Sequence, residues 1–372
     1  MKIETFDLER IQSLYENTVD YNLTETGLHP YTLNDLFDQD ELEQLSRVRL
    51  GYGQTDGAPA LRETISRLYA GAEPANVLVT NGSAEANYVA VRSMLSPGDE
   101  LVLMLPNYMQ IWGLARSAGI DVKSFHLKHE SDWGPDIDEL KRMVTPRTKM
   151  IAVCNPNNPT GAVLKETEMM AVVRMAKQLG AWVYADEIYR GAELDGNEIP
   201  SFYGCGDYNR VLVTGGLSKA YGLPGLRIGW LVGPAPAIAD AWAYHDYTSI
   251  STGLLGQWAA ERVLQPEMRM KVLNRNRAML RENIEILHAW IDKNARRFSF
   301  IPPKAGAMAF IRYAMAINSR EFCTRLREEK SVFIMDGDCF GMDGYVRIGF
   351  GAEKDYLSAG LARIDEFLEN LP

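Results

Sequence analysis

From about Asn76 to Val232, short runs rich in β-branched and aliphatic residues alternate with amphipathic stretches. This alternation predicts crossover units on a mainly parallel sheet, because strands covered on both faces need apolar residues throughout. The expected strands are Val77–Thr80, Leu101–Leu105, Met150–Cys154, Trp182–Ala185, Val211–Thr214 and Ile228–Val232. Between them, Ala84–Leu95 and Glu166–Leu179 carry helical patterns, the second preceded by a turn at Asn158-Pro159-Thr160-Gly161.

Beyond the last of these strands the pattern changes. From about Glu261 to Asn294 charged residues interleave with Met, Leu and Ile, with no proline after Pro266, which predicts one long helix. Apolar runs near Phe298–Ile301, Met308–Arg312, Val332–Met335 and Tyr345–Phe350, followed by a final helix, predict a smaller α+β domain. Residues 42–280 are therefore expected to form the large domain, and 1–41 with 281–372 the small one.

With 372 residues, 46% of them hydrophobic, the chain can bury a substantial core. The 39 basic against 49 acidic residues give a net charge of −10, which disfavours nonspecific attraction to nucleic acid or anionic lipid. Charge, Gly or Pro interrupts every apolar stretch well before the roughly 18 residues that a membrane helix needs. The opening MKIETFDLER is too acidic and polar for a signal peptide. Cys154, Cys205, Cys323 and Cys339 show no C-x-x-C spacing, so neither a metal site nor a disulfide framework is expected. Together these features predict a cytoplasmic protein that binds neither membrane nor nucleic acid.

The strongest chemical signal is Leu217-Ser218-Lys219-Ala220-Tyr221-Gly222-Leu223-Pro224-Gly225-Leu226-Arg227, between two expected strands. Among small and apolar neighbours Lys219 is expected to be desolvated, with a lowered pKa and a neutral amine able to attack an aldehyde. Arg227 adds a fixed cation suited to a phosphate. Asn155-Pro156-Asn157-Asn158-Pro159-Thr160-Gly161 follows one expected strand, and Tyr184-Ala185-Asp186-Glu187-Ile188-Tyr189 ends the next. Both then lie at the carboxyl edge of the sheet, where open α/β folds bind ligands. Asn81-Gly82-Ser83-Ala84-Glu85-Ala86 joins a strand to a helix start, offering free N–H groups to an anion.

In order along the chain stand Gly-Ser-Ala-Glu-Ala, Pro-Asn-Tyr, Asn-Pro-Asn-Asn-Pro-Thr-Gly, Asp-Glu-Ile-Tyr, Ser-Lys-Ala-Tyr-Gly-Leu-Pro-Gly-Leu-Arg and Val-Arg-Ile-Gly. This set resembles the class I/II aminotransferases of pyridoxal 5′-phosphate (PLP) fold type I, over about Leu50 to Gly351. The resemblance implies an α/β fold, with a mainly parallel seven-stranded sheet sandwiched by helices plus the smaller α+β domain. It implies PLP as cofactor, held by Lys219 as a Schiff base, with Lys219 then shuttling the proton between Cα and the cofactor's C4′. Asp186 would pair with the pyridine nitrogen. Asn158 and Tyr189 would donate to the phenolic oxygen, and Tyr108 would stack on the ring. Backbone N–H groups of Ser83 and Ala84, with Ser218 and Arg227, would hold the phosphate. Arg347 would clamp the substrate α-carboxylate. Tyr52 would reach the phosphate of a neighbouring subunit, implying a homodimer with shared sites.

The sequence also departs from this family. Gly216 stands where a phosphate-side serine is common, three positions before the lysine. The stretch Asn22–Tyr31 replaces a Gly/Pro-rich segment of many relatives, making Glu25 and Thr26 candidate substrate contacts and Glu25 and His29 candidate selectors of the side chain. No Lys or Arg occurs between Arg227 and Arg262, where dicarboxylate-specific relatives place a cation from the second subunit; Asp246 with Glu25 is expected to attract a basic or polar amino acid instead. The expected activity is ping-pong transfer of an α-amino group from an amino acid to a 2-oxo acid. The alternative is a PLP-dependent lyase or cyclase, by β/γ-elimination or in the manner of capreomycidine synthase, acting on an amino acid, basic ones included. A non-catalytic binding module is disfavoured, since a scaffold needs none of Lys219, Asp186 and Arg347.

Overall fold

Runs such as Val211–Gly216 and Ile228–Val232 are buried at every position, so both faces of the sheet they build are covered. The computed structural model describes residues 3–371. Its main sheet contains β1 (Val77–Asn81), β2 (Glu100–Leu105), β3 (Asp121–Lys128), β4 (Gly134–Pro135), β5 (Thr148–Cys154), β6 (Trp182–Asp186), β7 (Val211–Gly216) and β8 (Ile228–Val232). Their order is β1-β8-β7-β6-β5-β2-β3-β4. Strands β7, β6, β5, β2 and β3 are parallel, and β8 runs against both its neighbours. Seven strands of five or more residues match the expected sheet, and the two-residue β4 extends it at one edge.

Two elements differ from the sequence expectation. Strand β3 was not anticipated: within Asp121–Lys128 only Phe125 and Leu127 are fully buried, so polar residues mask its pattern. The expected continuous helix from Glu261 is instead two helices, Leu254–Val263 and Pro266–Lys293. Pro266 lacks an N–H and fits the start of a helix better than its interior.

The carboxyl ends of β2, β5, β6 and β7 share one edge of the sheet. Because β8 is antiparallel to both β7 and β1, β1 also ends there. Every loop carrying a candidate motif therefore leaves from the same edge. A second, antiparallel sheet of Phe298–Phe300, Met308–Tyr313, Tyr345–Gly349 and Met335–Asp336 carries Arg347. The amino-terminal segment joins this part of the molecule, Tyr21–Asn22 pairing parallel with Val332–Phe333. Among the described residues no helix is long and apolar enough to cross a membrane.

Candidate active site

Strand β6 ends on Asp186, whose carboxylate is buried in the wall of a cavity of about 290 Å³. Its Oδ1 accepts from the Ile188 N–H at 3.1 Å, and its Oδ2 accepts from Asn87 Nδ2 at 3.1 Å. Burial raises its pKa, and these two donors pull the other way. No cation pairs with it among the described residues, so the charge is supported by dipoles alone.

Asn87 sits one turn beyond Ser83 on the helix Ser83–Met94. Its Oδ1 accepts from the Tyr184 hydroxyl, and its Nδ2 donates to Gln110 Oε1 at 2.9 Å as well as to Asp186. Tyr184 in turn lies 2.7 Å from Thr214 Oγ1 on β7.

Lys219 follows β7 and places Nζ 2.6 Å from Glu25 Oε1, which also accepts from the Gly27 N–H at 2.7 Å. This overturns the expected direction of its pKa. Burial does pull the lysine down, but the Glu25 carboxylate and the nearby Tyr189 outweigh it, and the pKa is raised. The ammonium holds Glu25 reciprocally at about 2, against the opposing pull of burial.

Arg347 projects from the antiparallel sheet and is 1% exposed. Its Nη1 donates to Asn158 Oδ1 and its Nη2 to the Thr24 carbonyl, each at 2.9 Å, while Nε is buried without an acceptor. Burial lowers its pKa. Tyr189 lies 2.8 Å from Thr26 Oγ1, and burial pushes its phenol up to about 12. The Tyr108 hydroxyl donates to Glu9, and the Phe6 ring meets it edge-on with centroids 5.0 Å apart.

The fourth wall begins at Gly82, with φ 80°, where β1 turns into the helix. Ser83 and Ala84 supply the first N–H groups of that helix, which have no acceptor inside it. A Cβ at Gly82 would lie 2.4 Å from Arg227 Nη2, and one at Gly229 would lie 2.4 Å from the Ser83 nitrogen. Glycine at both positions thus lets the Arg227 guanidinium, the helix start and β8 converge. Ser218 also lines the cavity.

The cavity is lined by Glu25, Thr26, Ser83, Ala84, Tyr108, Asn158, Asp186, Tyr189, Ser218, Lys219, Arg227 and Arg347, all expected from sequence. Tyr52 is not among them; it is 87% exposed. His29 also stands outside, 3.5 Å from Glu353, and Asp246 is exposed just past the helix Ala235–His245, outside the cavity of its own chain. Residues that sequence reasoning missed are Asn87, Glu9, Gln12 and Glu16.

This arrangement fits the cofactor expected from sequence. An amine stands at one wall and a buried carboxylate lacking a cation at another, while free N–H groups and an arginine meet where two glycines make room. Those groups match an aldehyde, a protonated ring nitrogen and a phosphate respectively.

Comparison with known proteins agrees. The family model for aminotransferase class I and II matches residues 25–364. Capreomycidine synthase of Streptomyces vinaceus is 29% identical over 363 residues, 93% of this chain and 89% of that protein. The crystal structure of a PLP-dependent aminotransferase from Streptococcus suis superposes with a TM-score of 0.94 at 33% identity, covering 100% of this chain and 99% of that one. That of the PLP-dependent cyclase OrfR gives a TM-score of 0.90 at 26% identity, covering 99% and 98%.

Proposed function

Because the chain belongs to the class I and II aminotransferase family and is PLP-dependent, we infer that it moves the α-amino group of an amino acid to a 2-oxo acid in two half-reactions. The observation that carries this reading is Asp186, a buried carboxylate kept without a cation in the same cavity as Lys219 and Arg347. When bound, PLP supplies an aldehyde for the amine and a ring that stores the electron pair released at Cα.

The residues then take distinct tasks. Lys219 Nζ holds the cofactor and later carries the proton that leaves Cα. Asp186 keeps the ring nitrogen protonated. Asn158 offers its Nδ2 to the phenolic oxygen, since its Oδ1 is already committed to Arg347, and Tyr189 offers its hydroxyl. Tyr108 supplies a flat face for the ring. Ser83, Ala84, Ser218 and Arg227 take the phosphate. Arg347, fixed by Asn158 and Thr24 and with Nε to spare, takes the substrate carboxylate. Thr26 orients Tyr189.

The same reading treats 42–280 as the cofactor-binding domain and 1–41 with 281–372 as the mobile one, supported by the Tyr21–Asn22 pairing with Val332–Phe333. It makes the protein a cytoplasmic homodimer in which the exposed Tyr52 reaches the partner's phosphate; Leu50, Tyr247 and Ile250 are exposed with it, as a face buried between subunits would require.

One observation favours a second reading, elimination with ring closure. Glu25, from the stretch that departs from the family pattern, sets an extra carboxylate 2.6 Å from Lys219 Nζ inside the cavity. Two named relatives, a capreomycidine synthase and a cyclase, lend it weight. Absorbance of the holoenzyme during addition of amino acids without any 2-oxo acid separates the two. Transfer predicts one equivalent of product and a stoichiometric, lasting loss of the yellow band, restored by a 2-oxo acid. Many turnovers with a persistent band and release of water or ammonia would instead establish elimination.

A further inference from the structure

One wall of the cavity touches the proposed function only where Glu9 accepts from the Tyr108 hydroxyl. The helix Asp7–Tyr15 lies along it, and Glu9, Gln12 and, at the helix end, Glu16 line the space. Positions 9, 12 and 16 are spaced three and four apart, so they share one helical face. An acidic helix face is usually just solvated. Here the neighbouring acids behave differently: Glu4 meets Arg116 at 3.7 Å and Asp7 meets Arg320 at 3.8 Å, whereas Glu9 and Glu16 pair with no cation among the described residues.

The charges of the cavity can be assigned one by one. Of its three cations, Lys219 is taken by the cofactor's aldehyde, Arg227 by phosphate and Arg347 by the α-carboxylate. Of its four carboxylates, Asp186 is taken by the ring nitrogen. Glu9, Glu16 and Glu25 remain, and Glu25 loses its present partner once the Lys219 amine is engaged. A phosphate adds further negative charge to this confined space. A second carboxylate on the substrate would meet like charge at every unassigned charged group, and a cation would meet opposite charge.

We propose that the substrate is an amino acid whose side chain ends in a cation, received by the Glu9–Gln12–Glu16 face of the amino-terminal helix together with Glu25. This rests on the reading of the cavity as an amino-acid site and adds the class of side chain it selects. This selection does not depend on Asp246, which is exposed outside the cavity of its own chain.

The holoenzyme is titrated by absorbance with two charge-differing pairs, L-arginine against L-citrulline and L-ornithine against L-norvaline, plus L-aspartate. The cationic member of each pair is expected to act at a concentration at least tenfold lower, the margin shrinking as salt is raised. Glu16→Gln is expected to cut the margin severalfold, and Gln12→Lys to abolish it. Because each margin is a ratio within one preparation, partial misfolding of a variant does not imitate the effect. Equal potency within each pair, or aspartate acting at the lowest concentration, overturns the inference and leaves the proposed function standing. If no amino acid of the panel changes the spectrum, the inference falls; only a spectrum that no common amino acid changes takes the proposed function with it.

Discussion

Asn87 donates its side-chain amide to Asp186 across 3.1 Å, and Tyr184 fixes which way that amide points by donating its hydroxyl to Asn87 Oδ1. The acid that would face the ring nitrogen is therefore oriented by a chain running back through Tyr184 to Thr214 on the neighbouring strand. The link is polar and fully buried, so each member left unpaired would be costly.

Asn87→Leu removes one of the two donors to Asp186 and leaves Thr214 as the partner of the Tyr184 hydroxyl. Losing a hydrogen bond to a charged group costs about 1.5–3 kcal/mol, so PLP affinity is expected to fall roughly 10- to 100-fold. Absorbance titration of the apo variant with PLP measures this, and an unchanged dissociation constant would show that Asn87 positions nothing.

Gly229→Ala places a methyl group 2.4 Å from the Gly82 carbonyl carbon and the Ser83 nitrogen, both backbone atoms. Relief requires moving the helix start away from β8, and overpacking of this kind costs about 1–3 kcal/mol. A lowered melting temperature and weakened PLP binding are expected together. Gly225→Ala is the control, because nothing lies within 4 Å of its added carbon; equal behaviour of the two variants would refute the steric account.

Much of this was legible in the sequence because strands buried on both faces leave unbroken apolar runs, as at Val211–Gly216, and because the motifs sit in the loops that leave them. Strand β3 was hidden by its polar positions. The wall formed by Glu9 was invisible for another reason: its partner Tyr108 is 99 residues away in the chain. The same distance effect reversed the expectation for Lys219, whose local neighbours predict a lowered pKa while Glu25, 194 residues earlier, raises it. Local composition reports desolvation, but only the fold brings the counter-charge.

Arg347→Lys keeps the charge and loses the planar fork that reaches both Asn158 and the Thr24 carbonyl. Breaking a buried, hydrogen-bonded charge pair costs about 2–5 kcal/mol, so kcat/KM is expected to fall by roughly 30-fold or more, carried mainly by KM. Steady-state kinetics with a saturating 2-oxo acid tests this. A fall confined to kcat would assign Arg347 to chemistry rather than carboxylate binding.

Glu187, next to Asp186, supplies a pH test independent of the reaction. Burial raises its carboxyl pKa to about 7, with the nearby Arg190 pulling it down, while Ser201 Oγ donates at 2.7 Å and the Phe202 N–H at 2.6 Å. An exposed glutamate titrates near 4.5, so between about 4.5 and 7 the folded chain holds a proton that the unfolded chain has released. Stability from this group is therefore full below 4.5 and is lost as pH rises through 7, by up to about 3 kcal/mol. Glu187→Gln mimics the protonated form and cannot lose it. Urea unfolding of both holoenzymes at pH 5 and pH 8 is expected to show the variant gaining on the wild type at the higher pH, with other titrating groups cancelling in the difference. A wild type that gains on the variant as pH rises would mean that Glu187 is ionised in the folded protein, held by Arg190 more strongly than burial opposes it.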